Sequence, residues 1–170
     1  MRFASRRMTR YNRACGGKRL ELVDSKNHPL KIRRARAADV PRIAELSGEL
    51  GYPTPVREMR QRFGQIKPAG RHAVFVAEFE KTVVGWIHVS ITPLLEVARR
   101  AEVNGLIVAE LHRSLGAGAK LLDAAEVWAR GKKCQRMSVR SNVIRDRAHA
   151  FYERQGYTHV KTQKAFRKEL

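Results

Sequence analysis

Between the apolar run Leu106-Ile107-Val108 and a helix-like segment beginning near Ala119, the chain reads Arg113-Ser114-Leu115-Gly116-Ala117-Gly118. A strand that leads through a glycine-rich turn into a helix N-terminus suits phosphate. The first amides of a helix have no acceptor within it, and the helix dipole favours negative charge at that end. Gly116 and Gly118 carry no Cβ, so a pyrophosphate can come close to the backbone. Arg113 adds a forked cationic donor. On these residues alone, a plain tight turn between strand and helix explains the pattern equally well.

Downstream stand Asn142 and the run Arg145-Asp146-Arg147-Ala148-His149-Ala150-Phe151-Tyr152-Glu153-Arg154-Gln155-Gly156-Tyr157. With these, the chain resembles the GNAT superfamily of acyl-CoA-dependent N-acyltransferases, including its bacterial small-molecule amine acetyltransferases. Arg113-x-x-Gly116-x-Gly118 is similar to that family's Arg/Gln-x-x-Gly-x-Gly/Ala signature. Asn142 and the stretch from Ala148 to Tyr157 are similar to its second signature, an asparagine before a helix ending Phe-Tyr-Glu-x-x-Gly-Tyr/Phe. The resemblance spans residues 30–170, in the first half by pattern only. It implies acetyl-CoA as cosubstrate, no metal, and transfer to an amine of a small molecule or protein by direct attack in a ternary complex. It also implies an α+β fold. A mostly antiparallel twisted sheet of about seven strands would be split between its fourth and fifth strands and flanked by four helices. The cofactor's pantetheine arm would enter the split and pair with backbone.

Acyl transfer to an amine must polarise the carbonyl, take a proton from the amine and stabilise the departing thiolate. No nucleophilic Ser or Cys is needed, and the chain holds no Ser/His/Asp arrangement. The resemblance makes Tyr152 the general acid, because a phenol is protonated at neutral pH. The bland alternative is an amphipathic tyrosine closing its helix against the core. Glu102 matches a general base acting through water, or equally a carboxylate on a solvated strand edge. Leu106, Ile107 and Val108 would offer backbone to pantetheine, and Arg113, Ser114, Leu115, Gly116, Ala117, Gly118 and Ala119 would surround pyrophosphate. Asn142 would contact the pantetheine arm, or cap the following helix as an Asx turn. Arg154 would reach a cofactor phosphate, or be a surface arginine. Glu49, Tyr52, Trp86 and His88 fall where the family builds its acceptor pocket, and aromatics with a carboxylate suit a cationic amine.

Composition bounds the rest. At 170 residues, with 43% hydrophobic residues, the chain is long enough for one domain with a real core. No apolar run approaches the ~20 residues of a membrane span, and the arginine-rich start is not followed by a secretory apolar segment. Two cysteines, Cys15 and Cys134, form no disulfide framework and no spaced metal motif with the six scattered histidines. Cytoplasm is the expected setting. The formal charge of +19 attracts polyanions. A solvated surface that also draws in coenzyme A explains it. Two other readings stay open: a nucleic-acid or ribosome-associated binding protein, though no aromatic-basic motif supports one, and a silent acyl-CoA sensor. A homodimer is compatible with all of them.

The elements must position these residues. Residues 1–29 read as a basic, flexible arm, in which Arg2, Arg6, Arg7, Arg10, Arg13, Lys18, Arg19 and Lys26 face only Glu21 and Asp24. The domain over 30–170 then alternates. Strands are expected at Leu30–Arg34, Ala73–Phe79, Thr82–Thr92, Ala101–Val108, Arg136–Arg140, Thr158–Thr162 and Ala165–Lys168. Helices are expected up to about Leu50, over Val56–Ile66, over Leu115–Gly131 and over Arg145–Gln155. Asp39 should cap the first helix, with Pro41 in its first turn.

Overall fold

The computed structural model describes residues 30–66 and 70–169. The basic arm and Cys15 lie outside the described residues. Among the described residues five strands and four α-helices follow one another: β1 (Lys31–Arg34), α1 (Val40–Glu49), α2 (Val56–Ile66), β2 (His72–Phe79), β3 (Thr82–Ile91), β4 (Arg100–Val108), α3 (Ala117–Gly131), β5 (Arg136–Val139) and α4 (Asp146–Arg154). The sheet runs in chain order, β1-β2-β3-β4-β5. It is antiparallel except between β4 and β5, which are parallel.

Each face of the sheet buries one apolar stripe. α3 lays Leu121, Leu122, Ala125 and Ala129 on Ile87, Val89, Ala101 and Val103, and Phe151 and Tyr152 of α4 close the same layer. On the other face α1 sets Ile43 and Leu46 against Val76, Trp86 and Ile107. α2 buries no residue fully, although Met59 packs on this second layer. The β2–β3 hairpin turns on Glu80 and Lys81, both left-handed at φ 49° and 63°. Two central positive φ values match the twist of the flanking strands.

Asp39 holds the expected N-cap position of α1, with Pro41 in the first turn, but its side chain makes no bond to that helix. Its carboxylate accepts the Arg36 amide at 2.7 Å, closing a 3-10 turn over Ala37–Asp39. It also takes both terminal nitrogens of Arg33, at 2.7 and 2.9 Å, while Arg33 Nε reaches Glu78 at 2.9 Å. The helix before Lys132 ends as expected, but the left-handed residue is Lys133 (φ 60°) and not Gly131.

The count of seven strands is corrected to five. Residues 157–169 form no strand, and Val160 and Phe166 are almost fully exposed. The segment lies across a cavity of about 1650 Å³ from the outer edge of β5. β5 offers only four residues of edge. Arg136, Arg140, Lys161 and Lys164 all line that cavity, and like charges placed opposite one another disfavour a ladder between the tail and this edge.

Candidate active site

The site begins where β4 loses its partner. β5 pairs with Arg100–Val103 only, in register with Arg136–Val139. From Asn104 to Val108, β4 is bonded on its β3 side alone. That is the expected split between the fourth and fifth strands. Alternate residues turn their backbone groups to opposite sides of a strand, so Leu106 and Val108 face the gap, the Val108 carbonyl being taken by Arg113, while the backbone of Ile107 faces β3 and its side chain is core.

A bulge marks the same place. His88 pairs with Gly105 and Val89 with Val103, so Asn104 is the extra residue on β4. Such an insertion bends the strand and re-aims side chains. Here Asn104 Nδ2 donates to Ser90 Oγ at 2.8 Å. Gly105 is obligatory for another reason: a Cβ there would stand 2.7 Å from Cη2 of Trp86. The indole therefore lies directly over the β4 backbone beside the bulge.

Beyond β4 the chain makes a 3-10 turn, Glu110–His112, and enters the glycine loop. Ser114 and Gly116 are both left-handed, at φ 69° and 78°. Gly116 caps α3 through its backbone, and a Cβ on it would meet nothing within 4 Å. Open space above the first amides of a helix is where an anion can sit. Gly118 differs. Its Cβ position faces the Phe151 ring at 3.4 Å and Val108 at 3.9 Å. This glycine permits α3, α4 and β4 to pack closely rather than leaving room for phosphate. Arg113 folds back: Nε donates to the Val108 carbonyl at 3.2 Å, and Nη1 reaches Glu110 at 3.4 Å. It braces the end of β4 and the loop together.

Tyr152 is half-buried against Phe151 and Tyr157, with ring centroids 5.2 and 5.7 Å away. Burial pushes its phenol up to about 12, with the charge of Arg145 pulling the other way. It is therefore a proton donor throughout the physiological range. Asn142 shows the Asx geometry, its Oδ1 accepting the Ile144 amide at 3.2 Å. Its side-chain NH₂ stays available. Arg154 is exposed on the last turn of α4, and among the described residues no hydrogen bond or ion pair ties it to the loop.

On the α1 face a polar row crosses the otherwise apolar sheet. In ladder register, His72 of β2 opposes Ser90 of β3, Ser90 opposes Glu102 of β4, and Glu102 opposes Ser138 of β5. Glu102 is held by Arg140 Nε at 2.6 Å. His88, one row along, meets His72 with Nε2 3.1 Å from Nδ1. Burial, and then the neighbouring charge of His72, lower His88 to about 4. Trp86, His88 and Glu102 thus share one face beside the bulge. Glu49 and Tyr52 are exposed at the end of α1 and in the loop after it. That loop is anchored across the gap by Arg145, whose Nη2 donates to the Leu50 carbonyl at 2.9 Å. His72, Ser90, Asn104, Arg140 and Arg145 were not legible as site residues. Only the strand register brings the first three together, and single polar residues in strands carry no spacing signal.

The profile of the Acetyltransferase (GNAT) family matches residues 40–157. The chain belongs to the GNAT acetyltransferase family, and it is an enzyme of that family. Among solved structures, it resembles aminoglycoside N-acetyltransferase AAC(6')-Iy in complex with CoA. The TM-score is 0.78 at 17% identity, covering 87% of this chain and all of that one. It also resembles aminoglycoside 6'-N-acetyltransferase AAC(6')-IG from Acinetobacter haemolyticus, with a TM-score of 0.73 at 20% identity, covering 82% and 99% of the two chains. Glucosamine-6-phosphate N-acetyltransferase from Arabidopsis thaliana gives 0.72 at 20%, covering 83% and 99%. At these identities the structural likeness speaks for the fold. No curated protein matches in sequence. Among the described residues, no helix is long and apolar enough to cross a membrane, and no group of three or more His, Cys, Asp or Glu could hold a metal ion.

Proposed function

We propose that this GNAT enzyme transfers an acetyl group from acetyl-CoA to a primary amine, by direct attack in a ternary complex. The observation that carries the reading is the unpaired β4 segment Asn104–Val108 running into the open, left-handed turn at Gly116. A pantetheine arm would pair with that segment, and the amides of Leu115, Gly116, Ala117, Gly118 and Ala119 would meet pyrophosphate. Ser114 sets the turn, Arg113 supplies positive charge from its braced position, and Asn142 offers its NH₂ to the arm. Arg154 is left for a terminal phosphate.

Acetyl-CoA supplies an activated carbonyl and a thiolate leaving group. The protein's part is protons and placement. Tyr152 protonates the departing sulfur. Glu102, fixed by Arg140, orders the water through which the acceptor ammonium loses its proton. Trp86, His88, Tyr52 and Glu49 border the acceptor. Both aminoglycosides and amino sugar phosphates are acceptors named for structural relatives, so both belong in the test. Thiol release from acetyl-CoA is measured against neamine, glucosamine 6-phosphate, aminophosphonates, polyamines and peptides. Acetylated product with at least one amine is expected. No thiol release with any of them, together with no CoA binding by calorimetry, refutes the proposal.

A further inference from the structure

His72 of the polar row on the α1 face touches His88 one row along, and the proposed chemistry above gives a role only to His88, as a pocket wall. We propose that His72 and His88 form a two-imidazole relay that carries the proton lost by the acceptor ammonium from the bulge to solvent. The inference rests on the acetyltransfer reading.

The geometry is suited to conduction. His72 Nδ1 and His88 Nε2 lie 3.1 Å apart. Two nitrogens at that distance share one proton, one donating and the other accepting. The inner and outer ends of the pair are distinct. His88 opposes Gly105, next to the bulged Asn104; directly opposed residues on antiparallel strands have Cα atoms ~5 Å apart. His72 is the first residue of β2 and follows exposed Gly70 and Arg71. One imidazole thus stands beside the reacting region and the other at the rim.

In the conducting tautomer, His88 Nε2–H donates to His72 Nδ1, and neutral His72 carries its single ring proton on Nε2. The step then balances. An N–H bond of the ammonium breaks, and through the water at Glu102 a proton arrives on His88 Nδ1. The shared proton passes from His88 Nε2 to His72 Nδ1. The proton on His72 Nε2 leaves to bulk water, and exchange with water restores the starting tautomer between turnovers.

The surrounding groups leave this task to the imidazoles. Glu102 of β4 is already paired with Arg140 at the end of β5. Ser90 and Asn104 are bonded to each other. On α2, Glu58 and Arg62 pair together, and on α1 Glu45 pairs with Arg42. Burial, and then His72, keep His88 neutral between turnovers.

The test uses His72→Gln, His88→Gln and the double variant, assayed by thiol release with acetyl-CoA and with neamine or glucosamine 6-phosphate as acceptor, from pH 5.5 to 9.5. Calorimetric CoA affinity and melting temperature serve as folding controls; the rim position of His72 keeps at least one single variant folded. Each single change should lower kcat by ~10²-fold, the typical worth of one proton-transfer group. The double variant should be no slower than the worse single, because the two rings act as one unit. Folded single variants with wild-type kcat and pH profile overturn the relay, and so does a double variant whose loss is the product of the two. A wild type that releases no thiol with any amine of the wider panel refutes the acetyltransfer reading and the relay with it. A wild type that turns over while its variants match it refutes the relay alone.

Discussion

Gly105→Ala is a sharp probe of the bulge. A single methyl would be placed 2.7 Å from Cη2 and 2.8 Å from Cζ3 of Trp86. Ordinary carbon contacts need ~3.5–4 Å, so the indole must withdraw by about 1 Å. It has little room to do so, because Trp86 is 9% exposed and wedged among Ile43, Leu46, Val76 and Ile107. Overpacking of this kind costs about 1–3 kcal/mol. For a domain of this size, 2 kcal/mol lowers the melting temperature by ~4–8 °C. The indole should also move away from the acceptor face, with a change in tryptophan emission; only Trp86 and Trp128 emit. The atoms that clash belong to the outer ring of the indole, which phenylalanine lacks. Trp86→Phe should therefore relieve Gly105→Ala, and a double-mutant cycle on thermal stability should return a coupling of at least ~1 kcal/mol. Additive losses, or a Gly105→Ala protein with wild-type melting and emission, would refute the placement of the ring over β4.

Three further outcomes follow from the same geometry. Tyr152→Phe keeps the ring stack with Phe151 and Tyr157 but removes the donor, so turnover should fall by ~10²-fold with CoA affinity near wild type; unchanged turnover reduces Tyr152 to packing. Gly116→Val forces a branched residue to φ 78°, costs about 1–2 kcal/mol of stability and should weaken CoA binding in calorimetry. Gly118→Ala, whose methyl would make ordinary contact with Phe151 at 3.4 Å, should leave binding intact, and equal effects at the two glycines would contradict their assignment. Arg33 and the Arg36 amide hold the Asp39 carboxyl below the usual carboxylate range. A depressed carboxylate stabilises the fold above its unfolded pKa of ~4 and loses that contribution as pH falls through its folded value. Asp39→Asn should therefore cost about 3 kcal/mol near pH 7, as for a broken buried pair. It should also flatten the acid limb of a melting-temperature profile, and an unchanged limb would place that sensitivity elsewhere.

The parts legible in the sequence are those with local grammar. The glycine loop, the helix N-terminus it opens and the Phe151-Tyr152-Glu153 segment are written in adjacent residues, and the observed α2 matches its expected limits. The two final strands were misread because β propensity at Thr158–Thr162 and Ala165–Lys168 is local, whereas pairing depends on the edge that β5 offers, only four residues long. Asp39 was placed correctly as N-cap, but the partner of its carboxylate was missed because Arg33 lies on the preceding strand and points back across the turn. The polar row was invisible for a deeper reason. His72, Ser90, Glu102 and Ser138 are spread over 66 positions of chain, and a one-residue bulge at Asn104 sets which of them share a face. A slip of one residue would move every side chain on β4 to the other side.

The sheet itself bears on why the split is the only reasonable place for the reaction. Tyr152 packs in the α3 layer, with Ile87, Val89 and Val103. Glu102, Ser90, His88 and His72 stand on the α1 face. A closed ladder would put a continuous hydrogen-bonded wall between the group that protonates sulfur and the groups that take a proton from nitrogen. Direct attack needs both within reach of one carbon, whose nitrogen arrives from one side as its sulfur departs on the other. β5 breaks that wall by pairing only as far as Val103 and Val139. The unpaired β4 segment then serves two ends, holding an extended ligand by backbone and letting the two faces meet at one bond.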